Sequence, residues 1–207
     1  MGCGVGLFAD KVPKFVGLEY ALRSLFAEGF DGYQRVCADA RDIPFPDDSF
    51  ELIFSFNTIE HISSPDRVYS EIDRVLKSGG ILVLKPAWHC TWYNTEIIPV
   101  KEYNNLSITN KVVKLMLPLI ESKFYKALKF IPWRIWRRFS ASYPSNFEWE
   151  SLDPTFGVGG VADADAVANI DIHETILFFL SRGYKCTSHP SKTGQIMAGH
   201  DVLVLCK

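Results

Sequence analysis

The sequence predicts an α/β protein built on a mostly parallel sheet with flanking helices. Three observations carry that reading. Phe50-Glu51-Leu52-Ile53-Phe54-Ser55-Phe56 is short and almost continuously apolar, the composition of a strand covered on both faces. Val36 and Cys37 are apolar and read as the end of another strand, with Asp39-Ala40 where it would end, and a polar residue at the carboxyl end of each of two parallel strands is how an open α/β sheet builds a small-molecule site. Strand-like and helix-like segments alternate from Phe15 to Leu84, and the alternation returns after Asp163.

The elements follow in order. Gly2, Gly4 and Gly6 leave no Cβ between the backbone and a closely approaching ligand, although an ordinary glycine turn would read the same way. Leu7 stands where the dinucleotide pattern G-x-G-x-x-G has its last glycine, which argues against a nicotinamide-dependent oxidoreductase. Phe15 to Leu18 reads as a strand ending in Glu19, and Tyr20 to Glu28 as a helix stopped by Gly29. Pro44 and Pro46 make 43–49 a loop. Ser64-Pro65 is a hydroxyl cap followed by proline in the first helical turn. Val68, Ile72, Val75 and Leu76 then form one apolar stripe, and Gly79 is expected to end the helix before the strand Ile81 to Leu84. Near the carboxyl end, Asn169 or Asp171 caps a helix to about Arg182, with Gly183 beyond it. Strands over 184–188 and 202–206, joined through Gly194 and Gly199, complete the chain.

Composition narrows the function. A length of 207 residues allows one domain with a full core, and a net charge of -2 argues against bulk nucleic-acid binding. Cys3, Cys37, Cys90, Cys186 and Cys206 are odd in number, scattered and without a C-x-x-C pair, so no disulfide frame is expected. No metal site is expected either, since the histidines are dispersed and lack metal-binding spacing. Reduced thiols, together with the lack of a signal-peptide pattern or a long apolar run, point to a cytoplasmic protein.

Residues 87–162 break the strand–helix alternation. Between Lys111 and Arg138 lie eight Lys or Arg residues and one acid, Glu121, interleaved with aromatic and aliphatic side chains. Pro118 and Pro132 are expected to divide this stretch into two or three short helices. Such a basic amphipathic segment suits a lid over a substrate site, peripheral contact with an anionic membrane, or both.

In order along the chain, Gly2-Cys3-Gly4-Val5-Gly6, the acid Asp39 before a Pro-Phe loop, Glu60-His61 after the strand 50–56, and Arg74-Val75-Leu76-Lys77-Ser78-Gly79-Gly80 resemble the motifs of class I S-adenosylmethionine-dependent methyltransferases, the small-molecule, type 11-like branch. The likeness covers about Gly2 to Pro86 well and the segment after Asp163 loosely. It implies a Rossmann-like sheet with an antiparallel last strand and a helical cap between the fifth and sixth strands. The cofactor-binding half would be 1–86, the cap 87–162, and 163–207 would complete the same domain.

The resemblance also assigns roles. Gly2, Cys3, Gly4 and Gly6 would form the glycine loop, Glu19 would accept from the ribose hydroxyls, Asp39 with the Ala40 backbone would meet the adenine, and Asn57 would shape the pocket through its backbone. His61 and His89 are the candidate bases, each with a structural histidine as the plainer alternative. The cofactor would be S-adenosylmethionine and the acceptor a small or lipid-linked molecule. In the family a central strand bearing an acid precedes the glycine loop, whereas here Met1 stands directly before Gly2. A shortened enzyme and a degenerate, non-catalytic cofactor-binding or scaffold protein both remain open, and the intact downstream motifs favour the first.

Overall fold

A computed structural model describes residues 1–4, 6–26, 33–140, 147–157 and 161–207. Val5 of the glycine loop and Glu28-Gly29, the expected end of the helix from Tyr20, lie outside the described residues.

The expected strands form around two parallel pairs. β1 (Val16–Glu19) pairs in parallel with β2 (Gln34–Cys37), and the short helix α1 (Leu22–Leu25) lies between them in sequence. β3 (Phe50–Phe56) pairs in parallel with β4 (Leu76–Lys85), from Leu52 opposite Ile81 to Phe56 opposite Lys85. Helix α2 (Pro65–Val75) makes that crossover. β8 (Leu203–Cys206) lies antiparallel between β4 and β7 (Lys185–Cys186), giving the order β3-β4-β8-β7. The last strand is thus antiparallel, as the resemblance implies. Among the described residues no ladder joins β1 to β3. A cleft of about 600 Å³ separates them, lined by Val16 and Leu18 on one side and Phe50 to Phe54 on the other. Its carboxyl end is bridged by the first residues: the Met1 ammonium donates to the Phe54 carbonyl (2.9 Å) and the Cys3 amide to the Leu18 carbonyl (3.1 Å).

One core runs through the four-stranded part. Val68, Ile72 and Val75 of α2 pack with Leu82 and Leu84 of β4 and with Ile172, Ile176 and Phe179 of α6 (Ile172–Leu180). Each such side chain contributes about 1.5–3 kcal/mol by leaving water. Tyr69 is fully buried with its hydroxyl 3.1 Å from Thr175 Oγ1, tying α2 to α6.

Several local expectations are corrected. Gly79 does not end α2: the helix stops at Val75, and Gly79 lies inside β4 at φ +79°, in an irregularity that opposes Phe50 to Leu76 but Leu52 to Ile81. The Lys207 ammonium takes over the helix end by donating to the Asp73 and Leu76 carbonyls (2.6 and 2.8 Å). Ser64 is left-handed and its side chain makes no capping bond, so Pro65 alone marks the start. Asp171, not Asn169, caps α6 by accepting from the His173 and Glu174 amides, while Asn169 belongs to β6 (Ala168–Asn169), paired with β5 (Glu150–Ser151). The expected loop through Gly194 contains helix α7 (Lys192–Met197).

Between β4 and β5 lie α3 (Trp92–Thr95), α4 (Ile108–Ile120) and α5 (Lys123–Ser140). Pro118 and Pro132 do not divide the segment; both sit inside helices, and the break comes at 121–122. Each proline forfeits one backbone bond, a local loss that the rest of a long helix can bear. α4 packs Val113, Leu117 and Ile120 against Tyr93, Ile98 and Leu106.

Candidate functional site

A cavity of about 520 Å³ opens at the carboxyl ends of β1, β2 and β3. The fold brings seven of the residues singled out by sequence to its wall: Gly2, Gly4, Glu19, Asp39, Ala40, Asn57 and His61. Cys3 and Gly6 stand behind the wall, where the Gly6 amide donates to the Cys3 carbonyl (2.8 Å) and tightens the loop.

The glycine loop is fixed from both sides. Gly2 sits at φ +62°, and a Cβ there would lie 2.2 Å from the Thr58 side chain, so only glycine lets the loop approach the end of β3 this closely. Gly4 sits at φ +50° with open space where its Cβ would be, and its amide donates to Glu19 Oε2 (2.9 Å). Glu19 Oε1 accepts from the Tyr20 and Ala21 amides (3.0 and 3.1 Å). One carboxylate thus ties the glycine loop to the turn after β1. Two carboxylate oxygens offer about four acceptor positions, so Oε2 retains capacity for one more donor.

Across the cavity, Asp39 is held by Arg41, which sequence reasoning missed. The Arg41 guanidinium donates to both Asp39 oxygens, at 2.6 Å from Nη2 to Oδ2 and 3.0 Å from Nε to Oδ1, and the Arg41 amide donates to Oδ1 (2.9 Å). These bonds hold the Asp39 carboxyl below the usual carboxylate range. Arg41 also reaches Ser63 Oγ (2.8 Å), closing the rim of the cavity. An arginine two places after an acid carries no signal in sequence that it will fold back on it. Asn57 is left-handed (φ +45°), a conformation asparagine tolerates, and its amide donates to the Lys85 carbonyl (3.0 Å), so its backbone shapes the wall.

His61 lies on the 3₁₀ turn Ile59–His61, its side chain 35% exposed toward the cavity. Its Nδ1 is 3.3 Å from the Asp165 carbonyl oxygen and its Nε2 is 3.7 Å from Glu60 Oε1. Glu60 is fully buried, and among the described residues neither of its carboxylate oxygens has a hydrogen-bond partner. Burial pushes its pKa up. Sequence marked Glu60-His61 as a motif, but nothing in it showed that the two side chains part, one inward and one to the cavity.

His89 is placed elsewhere. It does not line the cavity; its ring packs on Phe130 with centroids 4.7 Å apart, and its Nε2 is 3.2 Å from Arg134 Nη2. Burial pushes its pKa down to about 4, with Asp171 opposing.

A family profile described as a methyltransferase domain matches residues 1–84. Over these residues the chain is similar to methyltransferase domains. A sterol 24-C-methyltransferase of Gibberella zeae is 33% identical over 132 residues, covering 58% of this chain and 32% of that protein. The methyltransferase GfsG of Streptomyces halstedii is 33% identical over 97 residues, covering 41% of this chain and 35% of its own. The chain thus spans about a third of the length of these curated relatives. In fold, it is similar to a Listeria monocytogenes protein assigned to S-adenosylmethionine-dependent methyltransferases, with TM-score 0.52 at 13% identity, over 100% of this chain and 88% of that one.

The cavity's residues fit S-adenosylmethionine, the cofactor that the resemblance implies. The space beside Gly4 is open to a close backbone approach, Glu19 Oε2 can accept a hydroxyl, and Asp39 with Ala40 stands at the next strand end. A volume of about 520 Å³ falls within the range of small-molecule and cofactor pockets.

Proposed function

We propose that the protein transfers a methyl group from S-adenosylmethionine to a small-molecule or lipid-linked acceptor. The observation that carries the reading is the meeting of the glycine loop, Glu19 and Asp39 around one cavity, from three segments far apart in sequence. The sterol 24-C-methyltransferases among the relatives support a lipid class of acceptor.

The bound cofactor supplies a methyl carbon already activated by a sulfonium leaving group. The protein's part is to orient and to exclude water, and positioning of that kind supplies much of the acceleration of a displacement. Glu19 and the glycine loop would hold its ribose end, and Asp39 with the Ala40 backbone its adenine end. In the transfer, the acceptor atom's electron pair forms the new bond to carbon while the carbon–sulfur pair returns to sulfur, leaving S-adenosylhomocysteine. An acceptor that must lose a proton needs a base, and His61 is the histidine on the cavity wall that can take it.

The test is calorimetric titration of the folded chain with S-adenosylhomocysteine, followed by transfer of labelled methyl from S-adenosylmethionine into small-molecule and lipid extracts. Micromolar binding and label in an organic product support the reading. Binding without transfer would favour the non-catalytic alternative, and no binding would refute the assignment of the cavity.

A further inference from the structure

Helix α5 is built inside out. Its buried side chains are charged: Arg134 donates to Asp171 Oδ2 (3.0 Å) and to the Ile196 and Ala198 carbonyls, and Arg137 donates to Glu174 Oε1 (2.9 Å). Its outward side chains are apolar. Phe124, Leu128, Ile135 and Phe139 follow helical spacing along one stripe, with Phe124 and Phe139 at 75% and 72% exposure. Trp136 stands beside the stripe, stacked on Trp133 at 5.0 Å, and both are exposed.

Helix α4 repeats the theme. One face packs Val113, Leu117 and Ile120 on the protein, yet a second stripe of Ile108, Val112, Leu115 and Leu119 faces solvent, and no residue of the helix is fully buried. Two helices joined at 121–122 therefore present outward apolar stripes, beyond the scattered single side chains normal on a soluble surface.

We propose that the outward faces of α4 and α5 form a docking surface for an anionic lipid bilayer, lying in its interfacial zone. Charge selects the occupant. Lys111, Lys123 and Lys129 accompany the apolar stripes, and two of them lie over aromatic rings, Lys111 over Tyr103 (5.4 Å) and Lys129 over Phe130 (5.2 Å). Glu121 is the one acid from 111 to 138, and it is taken up by Lys126 and Tyr93. Basic residues with Trp, Phe and Leu on exposed helical faces match the headgroup boundary of a bilayer, where aromatic rings sit and lysine stems reach anionic headgroups. Among the described residues no helix is long and apolar enough to cross a membrane, so the helices would lie on it. The buried arginine pairs fit this role, because they fasten α5 to α6 through its polar side and leave its apolar side outward. The surface is independent of methyl-transfer chemistry.

The test is co-sedimentation of the full chain with phosphatidylcholine vesicles, with and without phosphatidylserine, together with tryptophan emission. Expected is low-salt binding that requires phosphatidylserine, with a blue shift from Trp133 and Trp136. A Phe124→Ala, Leu128→Ala, Phe139→Ala variant should bind at least about 100-fold more weakly. A Lys123→Gln, Lys129→Gln variant should lose about 30-fold. Each should keep the parent's far-ultraviolet circular dichroism, since the altered side chains face outward. No association with anionic vesicles, or association that both folded variants retain, would overturn the proposal. So would self-association in light scattering that the apolar variant abolishes while vesicle binding is absent, since that would make the face a protein interface.

Discussion

Glu19→Gln probes the donor cavity most directly, because one carboxylate there serves both the fold and the proposed ligand. Glutamine has one acceptor oxygen in place of two. It can keep the Tyr20 and Ala21 amides or the Gly4 amide, but its NH₂ must face whichever donor is left. Leaving that donor unmet costs about 1–3 kcal/mol of stability, which at this chain length lowers the melting temperature by roughly 2–12 °C. A ribose hydroxyl at Oε2 would make one charge-assisted bond, worth about 1.5–3 kcal/mol, so its loss weakens S-adenosylhomocysteine by about ten- to 150-fold. The assay is titration calorimetry beside thermal unfolding, at a temperature where circular dichroism shows both proteins folded. A melting temperature that falls while the dissociation constant stays within about threefold would refute the ribose assignment, leaving Glu19 as a clasp for the loop.

Other predictions follow from the same geometry. Gly2→Ala should destabilise by about 2–4 kcal/mol in urea unfolding, from overlap with Thr58 added to a left-handed φ; Gly4→Ala, with open space, should cost only about 1–2. Equal costs at the two sites would show that the Thr58 approach is not what requires glycine. Arg41→Ala should raise the Asp39 titration midpoint in carboxylate NMR toward its ordinary value, because Arg41 is the chief cause of its depression; an unmoved midpoint would mean the pair does not persist in solution. Burial pushes His89 and His173 down to about 4 from 6.5, so the unfolded chain takes up protons first as pH falls. Their stabilisation is full above about pH 6.5 and is lost on the way to pH 4, about 3 kcal/mol for each, while Glu60 and Glu174, raised by burial, act in the opposite sense. Urea unfolding from pH 7 to pH 5 should show a shallower loss of stability in His89→Gln than in the parent; the same pH slope in both proteins would contradict neutral burial of the His89 ring.

Patterns that are local in sequence were legible and proved sound. The apolar run at Phe50–Phe56 is β3, although it is not covered on both faces, since Leu52 is exposed toward the cleft, and the stripe of Val68, Ile72 and Val75 is the buried face of α2. Strand-end acids were placed correctly because a parallel sheet puts carboxyl ends together, whatever the spacing between strands. Gly79 misled because a positive φ serves a bulge as well as a helix stop, and what settles the matter is Lys207, 128 residues later, bonding across it. Pro118 and Pro132 misled because proline's cost is local, whereas the rest of each helix is held by packing and by the arginine pairs. Arg41 on Asp39 and the burial of Glu60 depend on side-chain direction, which neither periodicity nor spacing encodes.

The break between β1 and β3 bears on how the donor cavity is held. A cavity at strand ends is only as rigid as the strands that carry its walls. Here Gly2, Gly4, Glu19 and Asp39 belong to the β1–β2 side, while Asn57 and His61 follow β3 on the other. The bonds of Met1 to Phe54 and Cys3 to Leu18, and the contact of Gly2 with Thr58, join the two sides at the cavity floor. Arg41 spans them again at the rim through Ser63. These links lie within the glycine loop and the cavity itself, so a ligand held by both walls would reinforce the same junction. Binding should then raise the melting temperature by mass action and also protect the β1 and β3 amides together from hydrogen exchange. Protection confined to one side of the cleft would show that the two walls do not act as one site.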